Sequence, residues 1–438
     1  MSAALRRSFT SLAVPNYRRY FTGQIVSLSG NWMQIVAEMW LILSLTGSGL
    51  AVGITSALQF LPMLLFGAWG GLLADRFPKR SLLTVTQTLM VLPALALWGL
   101  TTAGAVVPWM VYALVLTRGA INAIDNPARQ SFAIEMVGTD RVVNAVSLNS
   151  VLIHSARILG PAGAGLVIAT LGVGPCFLIN ALSFVAMIVA LRVMEPGELH
   201  PAPKAARGAG AVRAGLRYVL STPALAVPLA MMAVVGTLGF NFQVLLPLLA
   251  RFTFDGGPAT YTALAVAMAA GSVVGALAAG ARGQAGPRLL IAAAAGFGAV
   301  ALIAALAPTL PLELVALVPL GAASVTFAAG INSSLQLAAE PRMRGRVMAL
   351  YSIVFLGSTP IGGPITGLLS ESIDPRAGLV LAGAAGLTAA MGARLALARS
   401  RPQPPEPECD GLRTRRPAAA GDGRQACDRG PAPVSEPA

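Results

Sequence analysis

Long windows almost free of charge constrain this chain more than any other feature. Residues 50–73, 82–107, 109–124, 173–191 and 259–280 hold few or no full charges. A bilayer core of about 30 Å needs about 20 apolar residues in a helix, and these windows mostly fit. They are continuous runs rather than amphipathic stripes, so they lack the polar face that a water-exposed helix needs. Only 11% of the 438 residues are charged and 55% are hydrophobic, whereas a soluble domain carries about a quarter charged residues. Soluble readings are excluded, and the fold class expected is an all-α membrane protein.

The formal charge of +13 invites a nucleic-acid reading, and the placement of the cations argues against it. Of 31 Lys and Arg, eight lie from Arg394 onward, two (Arg118 and Arg157) lie inside apolar windows, and the rest sit in connectors. With the N-terminus in the cytoplasm, nineteen connector cations fall on that side and only Arg251 and Arg376 fall outside. This asymmetry is the positive-inside pattern, and it predicts a multi-pass plasma (inner) membrane protein with both termini cytoplasmic. No basic patch is interleaved with aromatics, so no nucleic-acid partner is expected. Cys176, Cys409 and Cys427 make neither an even framework nor a CxxC pair. Arg6, Arg7, Arg18 and Arg19 before an apolar run imitate a signal peptide. The window that follows, 20–45, and the spans after it instead predict a retained first helix.

Twelve spans are predicted, near 20–45, 50–73, 82–103, 107–125, 143–169, 174–193, 222–249, 259–281, 287–307, 312–334, 346–370 and 376–398. Short Gly- and Pro-bearing turns at 46–49, 104–108, 172–175, 256–258 and 307–311 separate several of them. The longest internal connector, 192–221, is rich in Pro, Gly, Ala and Arg and divides the chain in two. The expected organisation is a cytoplasmic N-terminus over 1–19 and a six-helix bundle over 20–193. A linker over 194–221, a second six-helix bundle over 222–398 and a disordered tail over 399–438 follow. The halves echo each other at an offset of 203 residues. Arg141-Val-Val-Asn-Ala-Val-Ser-Leu leads to Gly160-Pro161, and Arg344-Gly-Arg-Val-Met-Ala-Leu leads to Gly363-Pro364. Repeats across paired halves mark transporters, although an Ala/Gly-rich chain also produces such matches by coincidence.

Between spans two and three stands Gly71-Leu-Leu-Ala-Asp75-Arg76-Phe-Pro-Lys79-Arg80. The glycine permits close helix approach, and an acid followed by clustered cations supplies ion pairs at the membrane edge. A plain positive-inside turn reads the same way. The stretch resembles the hallmark loop of the major facilitator superfamily, with Pro78 in place of its second glycine. The resemblance implies that Gly71, Asp75, Arg76 and Arg80 form a loop that locks the cytoplasmic face between transport states. Further along come Asp125-Asn-Pro-Ala-Arg129-Gln130, Asn144-Ala-Val-Ser-Leu-Asn149-Ser150 and Ala156-Arg157-Ile-Leu-Gly160-Pro161-Ala-Gly163-Ala-Gly165. With Trp32-Met33-Gln34 and Glu38-Met-Trp40, this run is similar to the enterobactin-exporter-like, or transmembrane secretion effector, branch. Gly160, Pro161, Gly163 and Gly165 resemble the exporters' fifth-helix motif. Small residues there also serve ordinary helix packing, and Pro frees a carbonyl that lets a helix bend. Asp125 and Arg129, placed near a cytoplasmic helix end, are read as part of a cytoplasmic gate.

Glu38, Arg118 and Arg157 are charges inside apolar windows, where each costs at least about 2.5–3.5 kcal/mol unless it meets a partner or a watery cavity. Counting rise per residue from the outer helix ends puts all three at a similar depth. One reading is a structural ion pair between Glu38 and an arginine. The other makes Glu38 a protonatable coupling site and the arginines tuners of it or anchors for an anionic substrate. His154, one turn before Arg157, is either hydrogen-bonded or a titrating group. The second half offers Phe240, Asn241, Gln243, Asn332 and Gln336 as a substrate cavity wall, or as helix packing. No HExxH, nucleotide loop or metal-spaced His/Cys set is present, so no cofactor, metal or enzyme activity is expected. The function implied is a monomeric, proton-coupled exporter of a small amphiphile such as a drug, siderophore or secondary metabolite, working by alternating access in the lipid bilayer. An ion-coupled importer and a non-transporting receptor or scaffold are the alternatives.

Overall fold

The turns anticipated from glycine and proline are where the helices end. At the first of them, Gly47 adopts φ +62° and its amide closes α1 onto the Leu43 carbonyl, while the Ser48 hydroxyl accepts from the Ala51 amide and starts α2. A left-handed residue here favours glycine, and a serine N-cap satisfies an amide that the new helix leaves free. The computed structural model describes residues 10–138, 141–200, 211–282 and 286–399.

The described residues form α1 (Pro15–Thr46), α2 (Gly49–Arg76), α3 (Lys79–Thr102), α4 (Pro108–Val137), α5 (Val142–Leu171) and α6 (Gly174–Arg192). After them come α7 (Ala211–Ser221), α8 (Pro223–Gly239), α9 (Phe242–Leu248), α10 (Pro258–Arg282) and α11 (Pro287–Ala305). The last four are α12 (Leu310–Ala338), α13 (Arg344–Gly357), α14 (Thr359–Ser372) and α15 (Pro375–Arg399). No strand occurs among the described residues. Ten segments are long and apolar enough to cross a membrane, with α8 through the π turn at Leu249–Thr253 counted as one and α13–α14 as another. α1 and α4 are as long, at 32 and 30 residues, but carry more polar side chains, which keeps them out of that set.

Three expectations about helix extent change. The fourth span does not stop at residue 125, because α4 runs on to Val137. Asp125 is therefore twelve residues inside the helix, about 18 Å from its end. The seventh span is broken at Phe240 and Asn241. The Asn241 side-chain amide donates to the Thr237 carbonyl at 2.7 Å, taking the acceptor that a continuing helix would give to the backbone. The eleventh span is interrupted at Ser358, two residues before Pro360, where proline removes a donor and disfavours helical geometry ahead of it. In addition, the connector holds a short helix, α7, which packs on α13.

Packing follows close backbone approaches. α1 lies against α5 and α6, α2 against α4, and α3 against α6 and α4, while α10 lies against α12, and α11 against α15 and α12. The broadest contacts between the first six helices and the later ones are α2 with α14 and α5 with α10, with smaller ones of α2 with α9 and α13 and of α1 with α9. The α2–α14 contact is backbone on backbone. A Cβ at Gly53 would lie 2.5 Å from the Gly363 carbonyl, and one at Gly49 would lie 2.6 Å from the Gly367 carbonyl. Without a driving force from water, helices in lipid associate through this kind of close fit between small residues.

Candidate functional site: a central polar cavity

A cavity of about 920 Å³ lies between these helices, walled by residues of α1, α2, α4 and α5 on one side and of α10, α12, α13 and the α8–α9 break on the other. Its lining runs from Tyr20, Gln130 and Ala133 to Ile35, Ser56 and Asn241. α1 supplies Gln24, Asn31 and Trp32 at spacings of seven and one, so a single face of the helix meets the cavity.

Asp125 is buried at the cavity wall and its carboxylate is fully used. Thr86 Oγ1 donates to Oδ1 at 2.6 Å, Gln87 Nε2 donates to the same oxygen at 2.9 Å, and Arg129 Nε donates to Oδ2. Arg129 also donates to Gln24 Oε1 and so ties α4 to α1. Asp125 and Arg129 thus pair one turn apart on α4, inside the protein and not at a helix end. The sequence reading missed Gln24, Thr86 and Gln87, which are uncharged. Polar side chains within apolar spans were the signal that would have found them.

The three intramembrane charges separate into a pair and a lone cation. Arg118 Nη2 donates to Glu38 Oε2 at 2.6 Å, and Gln34 Nε2 donates to Glu38 Oε1 at 2.7 Å. Asn180 Nδ2 in turn donates to Gln34 Oε1. Glu38 is fully buried and does not line the cavity; its link to it is Arg118, whose Nη1 donates to the lining residue Asn31. Arg157 does line the cavity, and its guanidinium lies 5.0 Å from the Trp32 ring centre, a cation–π arrangement. The side chain of His154 lies outside the described residues.

In the second half, Phe240, Asn241 and Gln243 line the cavity. Phe240 packs edge-on against Phe297, Phe327 and Phe355. Asn332 and Gln336 do not line it. They continue the face of α12 that carries Ala328, one and two turns further on, and Gln336 donates to Asn332 there. The fifth-helix glycines fit helix to helix. Gly160 abuts Trp32 and Gly165 abuts Thr262 of α10, whereas a Cβ at Gly163 would meet only the flexible end of Met33, Cε at 2.9 Å. Pro161 also borders the cavity.

The loop residues have distinct surroundings. Gly71 is buried, Asp75 is half-buried and Arg76 is exposed in the last turns of α2. Arg80 donates to the carbonyls of Leu191 and Arg192 at 2.7 and 2.8 Å, capping the C-terminus of α6 with a positive charge. Next to it, Lys79 pairs with Glu135 of α4. Among the described residues no cluster of His, Cys, Asp or Glu is arranged to hold a metal.

This architecture is shared. A bacterial homologue of the iron transporter ferroportin, solved in an inward-facing state, superposes with a TM-score of 0.67 at 15% identity, covering 88% of this chain and 99% of that one. The multidrug efflux pump Tap of Mycolicibacterium fortuitum is 28% identical over 359 residues, 78% of this chain and 86% of that protein. The staphyloferrin A transporter of Staphylococcus aureus is 29% identical over 174 residues, and this chain spans less than half of its length, 44%. The family described as transmembrane secretion effector matches residues 6–408. The chain belongs to that family of major facilitator superfamily transporters, which are not enzymes.

Proposed function

We propose that the chain is a proton-coupled exporter of a small amphiphile, with twelve membrane crossings in two six-helix halves that rock about the central cavity. The halves would be 20–193 and 222–398, joined by the linker over 194–221, and both termini would lie in the cytoplasm. Counting α1 and α4 as crossings with the ten apolar segments gives the twelve. The observation that carries a transport role is the shape of the cavity. Its lining reaches toward the ends of α1 and α4 that the cation asymmetry assigns to the cytoplasm, while beyond its other end α2 and α14 meet backbone to backbone. In this shape an exporter loads from the cytoplasm and an importer unloads into it, so the outward direction rests on other grounds. The similarity to an efflux pump supports that direction.

For coupling, the geometry favours Asp125 over Glu38. Asp125 borders the cavity, where a proton and a substrate meet the same network, whereas both oxygens of Glu38 are held by Arg118 and Gln34 away from it. Glu38 then acts as the structural partner of Arg118. Asp75, Arg76 and Arg80 belong to the cytoplasmic lock. Inverted membrane vesicles energised with an inward-acid pH gradient test the reading. They should accumulate a fluorescent amphiphile in a protein-dependent way, and Asp125→Asn should abolish the response to the gradient. Accumulation only in right-side-out vesicles would make the protein an importer, and gradient-independent behaviour would remove proton coupling.

A further inference from the structure

The two polar parts of the cavity have unequal chemistry. Among the described residues, its charged lining side chains are Asp125, Arg129 and Arg157. Asp125 and Arg129 neutralise each other. Arg157 remains as an excess positive charge, held against the Trp32 indole with no carboxylate partner among the described residues. Charges in a cleft with low-dielectric walls act strongly on a ligand, so this cavity repels cations and attracts anions.

A second set of atoms makes a different demand. Gln59 Oε1, Asn241 Oδ1, Gln243 Oε1 and Ser56 Oγ are buried with no hydrogen-bond partner among the described residues, and all four side chains line the cavity. Ser56, Gln59 and Asn241 are only 1%, 7% and 3% exposed. The glycine pair of α14 sits between two of them. A Cβ on Gly363 would touch Ser56 at 3.6 Å, and one on Gly362 would meet the Asn241 amide nitrogen at 2.6 Å. Asn241 is fixed in orientation, because its nitrogen donates to Thr237 and its oxygen is therefore the atom left without a donor. Buried amide oxygens without donors are unfavourable, and three of them in one cavity select a ligand rich in O–H or N–H groups.

We propose that the cavity binds an acidic amphiphile bearing hydroxyl or N–H donors, its acid on Arg157 beside Trp32 and its donors on the amide oxygens of Gln59, Asn241 and Gln243. This names the substrate class of the transport site and rests on that reading. Phe240, Phe242 and Phe355, which line the cavity, would take its apolar part.

Purified full-length protein in nanodiscs, titrated with three dansyl probes, tests it. All three share the sulfonamide N–H; N-dansylserine adds the acid and a hydroxyl, N-dansylalanine the acid alone, and N-dansylalanine methyl ester neither. The expected order of affinity is serine, alanine, ester, with about tenfold between acid and ester and about threefold between the two acids, the effects of a charge-assisted and a neutral hydrogen bond. Arg157→Gln should erase the preference for the acids and Arg157→Lys should keep most of it. Asn241→Leu should erase only the preference for serine. A wild-type protein that binds the ester as tightly as the acids overturns the proposal without any variant. Selective binding with no protein-dependent uptake of N-dansylserine into proteoliposomes would instead overturn the transport reading and leave the site standing.

Discussion

Arg118 on α4 and Glu38 on α1 form an ion pair 2.6 Å long with both side chains fully buried. Each charge is tolerable only because of the other, since removing one partner of a buried pair leaves an unpaired ion and costs about 3–5 kcal/mol. Glu38→Gln should therefore lower the denaturation midpoint of the purified protein sharply. Glu38→Gln combined with Arg118→Gln should regain most of the loss, because two amides can hydrogen-bond without a net charge. Full stability of the single variant would show that the pair is not structural.

The α2–α14 contact should act as the outer closure. A Cβ at Gly53 would press on the Gly363 carbonyl at 2.5 Å, and backbone cannot yield cheaply. Gly53→Val should part the two helices and expose the cavity from outside. A cysteine at Gln59 in a cysteine-free background should then react several-fold faster with an impermeant maleimide added externally. An unchanged rate would show that the gate lies elsewhere.

Glu371 adds a polar latch at the same place. Its carboxylate accepts from the Ser48 hydroxyl at 2.6 Å and the Leu50 amide at 2.9 Å, so an anion from α14 caps the N-terminus of α2. Glu371→Ala should weaken outer closure by about 0.5–2 kcal/mol, the usual worth of a cap. It should raise labelling at Gln59 in the same assay, less than Gly53→Val does.

At the junction of α2 and α3, Arg80 and Arg76 should separate in their effects. Arg80 caps two carbonyls of α6, and losing both bonds should cost about 1–3 kcal/mol. Arg76 is exposed, so Arg76→Ala should leave the melting temperature nearly unchanged. Asp75→Asn should impair transport with expression intact. Equal destabilisation by Arg76→Ala and Arg80→Ala would remove the capping role.

The proposed topology rests on the cation count and can be tested directly. Single cysteines at Thr10, Ala205 and Ala420 should be inaccessible to an external impermeant reagent, and one at Asp255 should react. External labelling at Ala205 would invert the orientation.

The membrane-spanning helices were legible because a span is a property of about 20 consecutive residues, and composition over that length decides whether the segment enters lipid. Glycine and proline likewise mark turns through their own backbone geometry, as Gly47 does. Counting residues along the helices even put Glu38 and Arg118 at one level, where they pair. The same counting put Arg157 at a similar depth, and it stands over Trp32 while Arg118 takes Glu38: depth is local to a helix, but which face a side chain occupies and what stands opposite depend on how helices rotate and pack. Asp125 was assigned to a helix end because polarity rises after it, whereas α4 continues to Val137 on the strength of buried contacts made by Ala128, Phe132 and Met136. The cavity itself joins Gln24 to Arg129 and brings Ser56 and Asn241 to one glycine pair, over separations of more than a hundred residues. Neutral amides such as Gln59 look unremarkable in a hydropathy profile. Only the tertiary packing, by burying their oxygens against a cavity and withholding a donor, gave them something to bind.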